Sequence, residues 1–338
     1  MAVPGHSVKR SAAAVVALAL SLFLGAAQAQ TAGNPIVRVS TTFGDFSVEL
    51  FADETPATVD NFLNYLERGD YQNTFLHRLE RDFVLQGGGY RFQPCVEGGP
   101  RPCGPLAIPQ DAPVVNEPGL SNVRGTIAMA KMGGDPDSAT SQWFVNLADN
   151  AENLDEQNGG FTVFGQVLGE GMQVVDRLAE VDTFNLGGFA TSIPLRDFVP
   201  SSSPNRYNYP VDDQLIKMNP VRVYRHSEAL HVYEYATGRL ISTVDAGDEL
   251  GLFSLNLRVV ADTPDIIFEL NPGSMISLGL DANDDMAQYS EEDGILHIPR
   301  VELNDFGQVS VITDVRFRLI EQPANGRMRF LLESFQEP

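Results

Sequence analysis

The sequence predicts a mainly β protein built from two domains. Its 338 residues exceed what a single core usually holds, and 43% of them are hydrophobic, as in globular proteins. The apolar residues fall mostly in short runs with strand-like alternation, and only two stretches have helical periodicity. Residues 199–220 are rich in Pro and Ser and form the clearest boundary. We therefore predict a first domain over 30–205, a linker over 206–220 and an all-β, sandwich-like domain over 221–338.

The N-terminus has the pattern of a signal peptide. A basic stretch around Lys9 and Arg10 precedes an apolar run over residues 11–25. Ala27-Gln28-Ala29 follows as a small-residue cleavage site. The apolar run is shorter than the ~20 residues needed to span a bilayer. The sequence therefore predicts removal of residues 1–29 and export to the periplasm or beyond the cell.

The chain is strongly acidic, with a formal net charge of −22. Residues 1–29 contain two basic residues and no acidic one, so the remaining residues carry −24. Nucleic acids and anionic membranes bind proteins through basic contacts. The composition therefore argues against nucleic acid and membrane as partners. We interpret the acidic residues as a surface that keeps the protein soluble.

The first domain begins with a predicted β-hairpin over residues 36–51, which turns at residues 42–45. Thr55 and Pro56 then mark the start of a helix, and Gly69 marks its end. The apolar positions of this helix form one stripe. The stripe consists of Val59, Phe62, Leu63 and Leu66.

Short strands are predicted through the rest of this domain. They cover parts of residues 75–89 and residues 126–130, 143–146 and 162–167, and a second helix covers about 172–180. Many strands with only two helices are typical of a small barrel or sandwich with helical plugs.

Strand-like alternation also marks the second domain, where no long helix is evident. Apolar residues alternate with polar ones from Phe253 to Val259 and from Val315 to Leu319. Residues 236–238 and the pair Asp293-Gly294 have the composition of turns. These features predict a domain of short strands.

Residues 75–89 carry chemistry that a packing strand does not need. Besides apolar residues they contain the pair His77-Arg78, a lone Gln86 and three glycines. An inward arginine without a partner is costly, and glycines permit positive φ and close approach of the backbone. Basic and amide donors beside large apolar side chains are typical of a pocket that binds an apolar group and hydrogen-bonds a neighbouring carbonyl.

This stretch closely resembles the signature of the cyclophilins, the prolyl cis-trans isomerases, in which Phe-His-Arg, Phe and Gln-Gly-Gly occur at this spacing. A second block over residues 124–146 and a third over 163–167 resemble the same family in the same order. The resemblance covers residues 34–203. It implies a closed antiparallel β-barrel capped by two helices. Leu76 and Trp143 depart from phenylalanines that are usual in the family.

The reaction implied by this resemblance needs no nucleophile, metal or cofactor. Rotation about a peptide bond is opposed by a barrier of about 18–20 kcal/mol from C–N double-bond character. In the twisted state the prolyl nitrogen becomes more basic and accepts a hydrogen bond, for which an always-protonated guanidinium is a suitable donor. The resemblance accordingly assigns catalysis to Arg78 and Gln86. The alternative for Arg78 is a surface salt bridge with Glu80 or Asp82.

The resemblance also assigns the side chains that bind substrate. Most are apolar residues expected around the proline ring, although their pattern alone is equally typical of core packing. His77 is expected to be structural, because it lacks the acidic partner and the nucleophile of a catalytic triad. The substrate-binding set is His77, Phe83, Val84, Ala130, Trp143, Phe144, Leu154 and Phe161.

Two further features carry other chemistry. Cys95 and Cys103 lie close together in a Gly/Pro-rich insertion, and in an exported chain such a pair predicts a disulfide rather than a zinc site. The acidic stretch from Asp281 to Glu292 resembles a calcium loop. However, Met286 replaces the glycine at its sixth place, so a solvated acidic loop is the favoured interpretation.

Together these features predict an isomerase that acts on unfolded or flexible Pro-containing polypeptides and assists the folding of exported proteins. The alternative is a binding module that holds Pro-containing peptides with little or no turnover. The presence of both Arg78 and Gln86 favours the enzyme.

Overall fold

The computed structural model of the chain describes residues 34–93, 104–200, 210–223, 226–305, 308–321 and 326–337. The predicted signal peptide and both members of the predicted disulfide, Cys95 and Cys103, lie outside these residues. None of the described helices is long and apolar enough to cross a membrane.

The first domain combines short strands with three helices. Its strands are β1 (Ile36–Thr41), β2 (Gly44–Leu50), β3 (Thr74–Phe75), β4 (Arg78–Glu80), β5 (Val84–Gly87), β6 (Tyr90–Gln93), β7 (Gly104–Ala107), β8 (Thr126–Met129), β9 (Trp143–Asn146), β10 (Val163–Val167), β11 (Thr183–Phe184), β12 (Ile193–Pro194) and β13 (Lys217–Val223). Its helices are α1 (Pro56–Glu67), α2 (Ala151–Leu154) and α3 (Gly171–Ala179). Short 3₁₀ turns occupy Gln157–Gly159 and Asp212–Gln214.

The strands of this domain form a closed barrel, as predicted. One antiparallel sheet runs in the order β4-β5-β9-β8-β10-β2-β1-β13-β3, and β6 and β7 extend it from β3. β3 and β4 are successive parts of one segment, joined through Leu76 and His77. The Leu76 N–H donates to the Ile216 carbonyl at 2.9 Å, and the His77 N–H donates to the Gln86 carbonyl at 3.1 Å. Hydrogen bonding therefore continues across the joint and closes the sheet on itself.

Helix α1 begins directly after Thr55, as the sequence predicts. The Thr55 hydroxyl does not cap the helix but donates to the Phe51 carbonyl at 3.0 Å. Glu117 supplies the cap, because its carboxylate accepts the backbone N–H groups of Ala57 and Thr58 at 3.2 and 2.9 Å. A carboxylate there also complements the positive end of the helix dipole.

Both longer helices, α1 and α3, pack on the barrel interior, which confirms the two predicted caps. All four residues of the predicted α1 stripe are buried, with at most 8% exposure. Val175 and Leu178 of α3 join the same apolar core, together with Leu50 of β2 and Phe164 of β10.

The first domain extends further along the chain than predicted. The predicted linker over 206–220 is wrong in its last four residues, because they belong to β13, which pairs with all six residues of β1. Pro220 had indicated a linker. However, β3 pairs only with Lys217 and Met218, so β13 has one free edge at Pro220, where proline is tolerated.

The second domain is all-β, as predicted. Its strands are β14 (His231–Glu234), β15 (Arg239–Asp245), β16 (Leu252–Ala261), β17 (Ile267–Leu270), β18 (Ile276–Ser277), β19 (Ala287–Ser290), β20 (Ile295–Asp305), β21 (Gln308–Glu321) and β22 (Met328–Gln336). The two alternating runs predicted from the sequence lie in β16 and β21, and both predicted turns are present.

These strands belong to one sheet instead of the two separate sheets of a sandwich. Pairing runs from β14 through β15, β16, β17, β22, β21 and β20, and β20 pairs back to β14 in parallel. The sheet thus encloses its own apolar core, which includes Leu257, Ile298, Phe317 and Phe330. Met286, from the acidic stretch, packs in a neighbouring apolar cluster with Ile276.

The two domains are joined by buried polar contacts. Arg38 of β1 is 4% exposed and forms an ion pair with Asp45 at 2.8 Å. Its two terminal nitrogens donate to the carbonyls of Ser227 and Ala229 at 3.2 and 2.7 Å. Side chains of β13 also pack against Ile241 of β15. The orientation of the second domain is therefore set by specific contacts with the barrel.

Candidate active site

Arg78 and Gln86 face each other across neighbouring strands. They are direct partners in the pairing of β4 with β5, and Arg78 Nη1 donates to Gln86 Oε1 at 3.2 Å. A tight turn sets this register, because the Phe83 N–H donates to the Glu80 carbonyl at 3.0 Å. Asp82 adopts a φ of 57° in this turn, a left-handed conformation that Asp tolerates better than most residues. The local sequence thus brings the two predicted catalytic residues side by side.

The same row of side chains continues across the barrel wall. Gln86 lies opposite Phe144 of β9, and Phe144 lies opposite Ala128 of β8. Directly paired residues project from the same face of a sheet. The neighbouring row faces the barrel interior and consists of Leu79, Leu85, Val145 and Ile127. Arg78 and Gln86 therefore lie on the outer face, next to an apolar surface.

Gln142 extends the polar part of this face. Gln86 Nε2 donates to Gln142 Oε1 at 2.9 Å, and His77 Nε2 lies 3.1 Å from the same oxygen. Gln142 was not among the residues predicted from the sequence. Its place two residues before Phe144 was the available signal, because alternate residues of a strand share a face.

His77 lies behind this network, inside the fold, and not on the surface where its predicted substrate-binding role would place it. It is only 2% exposed. Burial is the main reason that the pKa of His77 falls to about 4; the charge of Arg78 acts in the same direction and the hydrogen bond to Gln142 acts against it. The imidazole is thus neutral near pH 7. With the Gln142 oxygen as acceptor, its proton is on Nε2.

Beside the polar row lies an apolar cluster that contains six of the predicted substrate-binding residues. Its buried members form a floor, and its partly exposed members form a rim. The floor contains Val84, Phe144 and Leu154, and the rim contains Phe83, Ala130 and Phe161. This arrangement offers an apolar surface to a ring-sized group.

Two of the rim residues are held by cations. The Arg78 guanidinium carbon lies 6.0 Å from the centre of the Phe83 ring, so the same arginine borders both the polar and the apolar parts of the site. Lys131 Nζ lies 4.9 Å from the centre of the Phe161 ring and donates to the Asn158 carbonyl at 2.9 Å. Partial burial lowers the pKa of Lys131.

Trp143 is not part of this surface, and its predicted place in the pocket is wrong. It is 1% exposed and belongs to the barrel core, where its ring meets that of Phe62 edge-on at 6.3 Å. The reason is strand periodicity, because neighbouring residues of β9 point to opposite faces. Phe144 faces the site, so Trp143 must face the interior.

The salt bridge considered as the alternative for Arg78 is also present. Arg78 Nε lies 3.4 Å from Glu80 Oε1, and both side chains are partly exposed, at 36% and 42%. Glu80 in turn accepts a hydrogen bond from the Ser192 hydroxyl at 2.7 Å. A pair this exposed contributes little to stability. Glu80 therefore limits the positions of the guanidinium without removing its capacity to donate.

The glycines after Gln86 have the role predicted for them, close approach of the backbone. Gly88 has a φ of 77°, and a Cβ there would lie 2.6 Å from the Ser141 carbonyl oxygen and 2.7 Å from the Trp143 ring. A Cβ on Gly89 would lie 2.9 Å from the Gln142 side chain. Protein backbone and side chains, rather than a ligand, occupy the space that these glycines leave. Any side chain at Gly89 would displace Gln142, so the third glycine leaves the space that Gln142 needs.

The barrel and this outer-face site define a cyclophilin-like enzyme, and comparisons with known proteins agree. The family described as "Cyclophilin type peptidyl-prolyl cis-trans isomerase/CLD" matches residues 36–198. A peptidyl-prolyl cis-trans isomerase of Acinetobacter baylyi is 37% identical over 162 residues, which cover 47% of this chain and 79% of that protein.

Two further bacterial relatives are similar. Peptidyl-prolyl cis-trans isomerase A of Dickeya dadantii is 37% identical over 196 residues, covering 57% of this chain and 94% of the relative. Peptidyl-prolyl cis-trans isomerase B of Escherichia coli is 38% identical over 172 residues, covering 48% of this chain and 95% of the relative. The chain belongs to the family of cyclophilin-type peptidyl-prolyl cis-trans isomerases, and its first domain is the isomerase domain. The family match ends at residue 198, before the strand β13 that closes the barrel.

Proposed function

We propose that Arg78 is the catalytic hydrogen-bond donor of this isomerase and that Gln86 orients it. The observation that carries this proposal is the 3.2 Å contact of Arg78 with Gln86 at the border of the apolar cluster. No other arginine of the described residues is part of this row of side chains. A proline ring on Phe144 and Phe83 would bring its nitrogen towards the guanidinium.

The guanidinium acts on the twisted state of the X–Pro bond. Twisting removes the amide resonance, so the prolyl nitrogen gains a basic lone pair. A charge-assisted hydrogen bond to that lone pair is worth roughly 1.5–3 kcal/mol, which corresponds to about one to two decades of rate. The ground-state amide nitrogen offers no such lone pair. The interaction therefore favours the transition state over the ground state, as catalysis requires.

The apolar cluster supplies binding and orientation. Its rim of Phe83, Ala130 and Phe161 is partly exposed and can be covered by a proline ring. Burying the apolar surface of one small ring contributes about 1.5–3 kcal/mol. Gln86 and Gln142 present amide groups beside this surface, where the backbone of an extended peptide can hydrogen-bond to them.

A protease-coupled proline-isomerisation assay on the chain from residue 30 onward tests this function. We expect turnover of short X–Pro peptides, together with measurable peptide binding. Binding without turnover would replace the enzyme with a module that only holds Pro-containing peptides. A chain that neither binds nor isomerises such peptides would refute the proposal as a whole.

We further propose that the isomerase works after export, on unfolded or flexible Pro-containing segments of other exported proteins. The basic, apolar and small-residue order of residues 1–29 supports export, and the net charge of −22 disfavours nucleic acid and anionic membranes as partners. Cell fractionation and N-terminal sequencing of the mature protein test this directly. An unprocessed chain in the cytoplasm would contradict it.

Export also supports a disulfide between Cys95 and Cys103, which are separated by only seven residues. Thiol titration of the denatured, unreduced mature protein should find no free thiol. Two free thiols would show that the cysteines remain reduced.

A further inference from the structure

A pair of stacked aromatic rings lies at the end of the polar row. The rings of Tyr90 and Phe189 are stacked, with their centres 3.9 Å apart and their planes within 20°. Phe189 is 36% exposed, and Tyr90 is partly exposed. The catalytic and binding roles described above use neither residue. We call this pair the aromatic platform.

Phe189 is held on the surface by a turn. It belongs to residues 183–198, which we call the strap. The Ala190 N–H donates to the Gly187 carbonyl at 3.0 Å, so Phe189 occupies a central position of a tight turn. Gly187 and Gly188 have φ values of 80° and 59°, which glycine adopts without strain. The backbone therefore presents the Phe189 ring at the tip of the strap.

The strap itself is anchored along the active-site strand β4. The Leu79 N–H donates to the Ser192 carbonyl at 2.8 Å, and the Ser192 hydroxyl donates to Glu80. The strap residues around this point are buried with Phe75 and Leu215 in one apolar cluster. These strap residues are Ala190, Ile193, Leu195 and Phe198. Phe189 is thus an exposed ring on a fixed support.

A chain of side-chain contacts links the platform to Arg78. Arg78 contacts Gln86, and Gln86 contacts Gln142, at 3.2 and 2.9 Å. His77 Nε2 lies 3.1 Å from the Gln142 oxygen, and the His77 ring meets the Tyr90 ring edge-on, with their centres 5.0 Å apart. Phe189 then stacks on Tyr90. Apart from the buried His77, every side chain in this chain of contacts is at least partly exposed, so a surface runs from the arginine to the platform over this histidine.

We propose that the aromatic platform is a second subsite, which takes an apolar or aromatic side chain located two residues from the proline of the bound peptide. The proposal rests on the proposed function, because the proline is placed on Phe144. Gln142 lies just before β9 and precedes Phe144 by two residues, or about 7 Å of extended chain. An extended peptide alongside advances by the same distance in two residues and presents both side chains to the same face. The second side chain then lies over Gln142 and reaches the platform.

A role as a simple cover for the core makes a different prediction. The Phe189 ring also meets the His77 ring at 6.2 Å, so its removal exposes part of that buried histidine. If Phe189 only covers the core, its removal should lower the stability of the protein and should change kcat/KM by the same factor for every substrate. A subsite affects substrates according to the side chain that it contacts.

The test compares peptides that differ at one position, using the full mature chain. One series carries Phe or Ala two residues before the proline, and a second carries the same pair two residues after it. We expect the parent to prefer Phe over Ala in kcat/KM in one of the two series. In Phe189→Ala this preference should fall about three- to tenfold, the usual contribution of an aromatic pair. The control Val199→Ala removes a side chain that is 81% exposed just beyond the strap, and its preference should match that of the parent.

An unchanged preference in Phe189→Ala, or no preference in the parent, would overturn the proposal while leaving the isomerase function intact. If the chain binds peptides without turnover, the preference is measured by calorimetry as the ratio of the affinities for the Phe peptide and the Ala peptide. Equal affinity of the Phe and Ala peptides in both series would then overturn the subsite as well. The circular dichroism spectrum of Phe189→Ala establishes whether this variant is folded. If Phe189→Ala does not fold, Phe189→Leu takes its place and should show a preference for Phe over Ala that is intermediate between none and that of the parent.

Discussion

Trp143 and Phe144 are consecutive residues whose side chains lie on opposite faces of β9. The Trp143 ring packs edge-on against Phe62 inside the barrel, whereas Phe144 belongs to the apolar cluster on the outer face, where its ring meets that of Phe161 at 5.9 Å. One residue of register thus separates a core position from a site position.

Trp143 is the only tryptophan of the chain, so its fluorescence reports on the barrel interior. Binding of a Pro-containing peptide should change this fluorescence little. Trp143→Phe should keep kcat/KM within about twofold, because a smaller aromatic ring fills most of the same core space. Phe144→Ala should lower kcat/KM at least about tenfold through loss of roughly 1.5–3 kcal/mol of apolar contact. Peptide titrations and the isomerase assay measure these effects; a large fluorescence change with an inactive Trp143→Phe would reverse the two assignments.

Arg78→Ala should separate binding from catalysis. The apolar cluster remains, so the affinity for a Pro-containing peptide should change little, but the rate should fall at least about tenfold with the loss of the charge-assisted bond. Arg78→Lys should restore only part of the rate, since an ammonium lacks the planar fork of a guanidinium.

The matched control is Arg81→Ala. Arg81 lies in the turn after β4, and its guanidinium donates to the carbonyls of Ala179 and Glu180 at the end of α3. Its removal should affect stability modestly and leave the isomerase rate unchanged. Equal rates for Arg78→Ala and the parent would show that another group stabilises the twisted state.

Much of the site could be predicted because its residues are close in sequence or occur in recognisable blocks. Arg78 and Gln86 lie on one hairpin, whose turn chemistry is local. The face of Trp143 was predicted incorrectly because a four-residue strand of apolar residues has no polar alternation to show which side is buried. The platform ring Phe189 could not be predicted, because it reaches Tyr90 only through the path of the strap, about 100 residues further along the chain. β13 was not predicted because a proline argues against a paired strand. Pro220 is tolerated because its side of β13 is unpaired, and only the tertiary structure shows this.

The buried His77 should make stability depend on pH. Its pKa is about 4 in the folded chain and about 6.5 when unfolded, so between these values the unfolded state binds more protons. The contribution to stability is therefore fully present above pH 6.5 and is lost as the pH falls towards 4, by roughly 3 kcal/mol in total. Urea denaturation at several pH values measures this slope. His77→Gln should show a shallower slope between pH 6.5 and 4, and an identical slope would mean that His77 is protonated without penalty in the fold.

The closing strand β13 decides which fragment folds. A fragment of residues 30–205 lacks β13, so β1 loses one of its two partner strands along all six residues, and Met218 is missing from the core. We expect this fragment to lack a cooperative thermal transition and isomerase activity. A fragment of residues 30–225 retains β13 and should fold and isomerise. Full activity of the shorter fragment would show that the barrel closes without this strand.

Arg38 provides a test of how the second domain is fixed to the barrel. Its side chain is 5% exposed, pairs with Asp45 at 2.8 Å and donates to the carbonyls of Ser227 and Ala229. Arg38→Ala leaves a largely buried carboxylate and two carbonyls without their donor, which typically costs about 3–5 kcal/mol in the free energy of unfolding. The control Arg222→Ala removes a 48% exposed arginine whose pair with Glu67 should contribute no more than about 1 kcal/mol. Chemical denaturation of both variants gives the comparison. The Arg38 contacts link the two domains, so we expect Arg38→Ala to unfold in two separate transitions. The contrary result is a single transition with the same stability as Arg222→Ala. It would mean that apolar contacts, such as those of β13 with Ile241, are sufficient to hold the domains together.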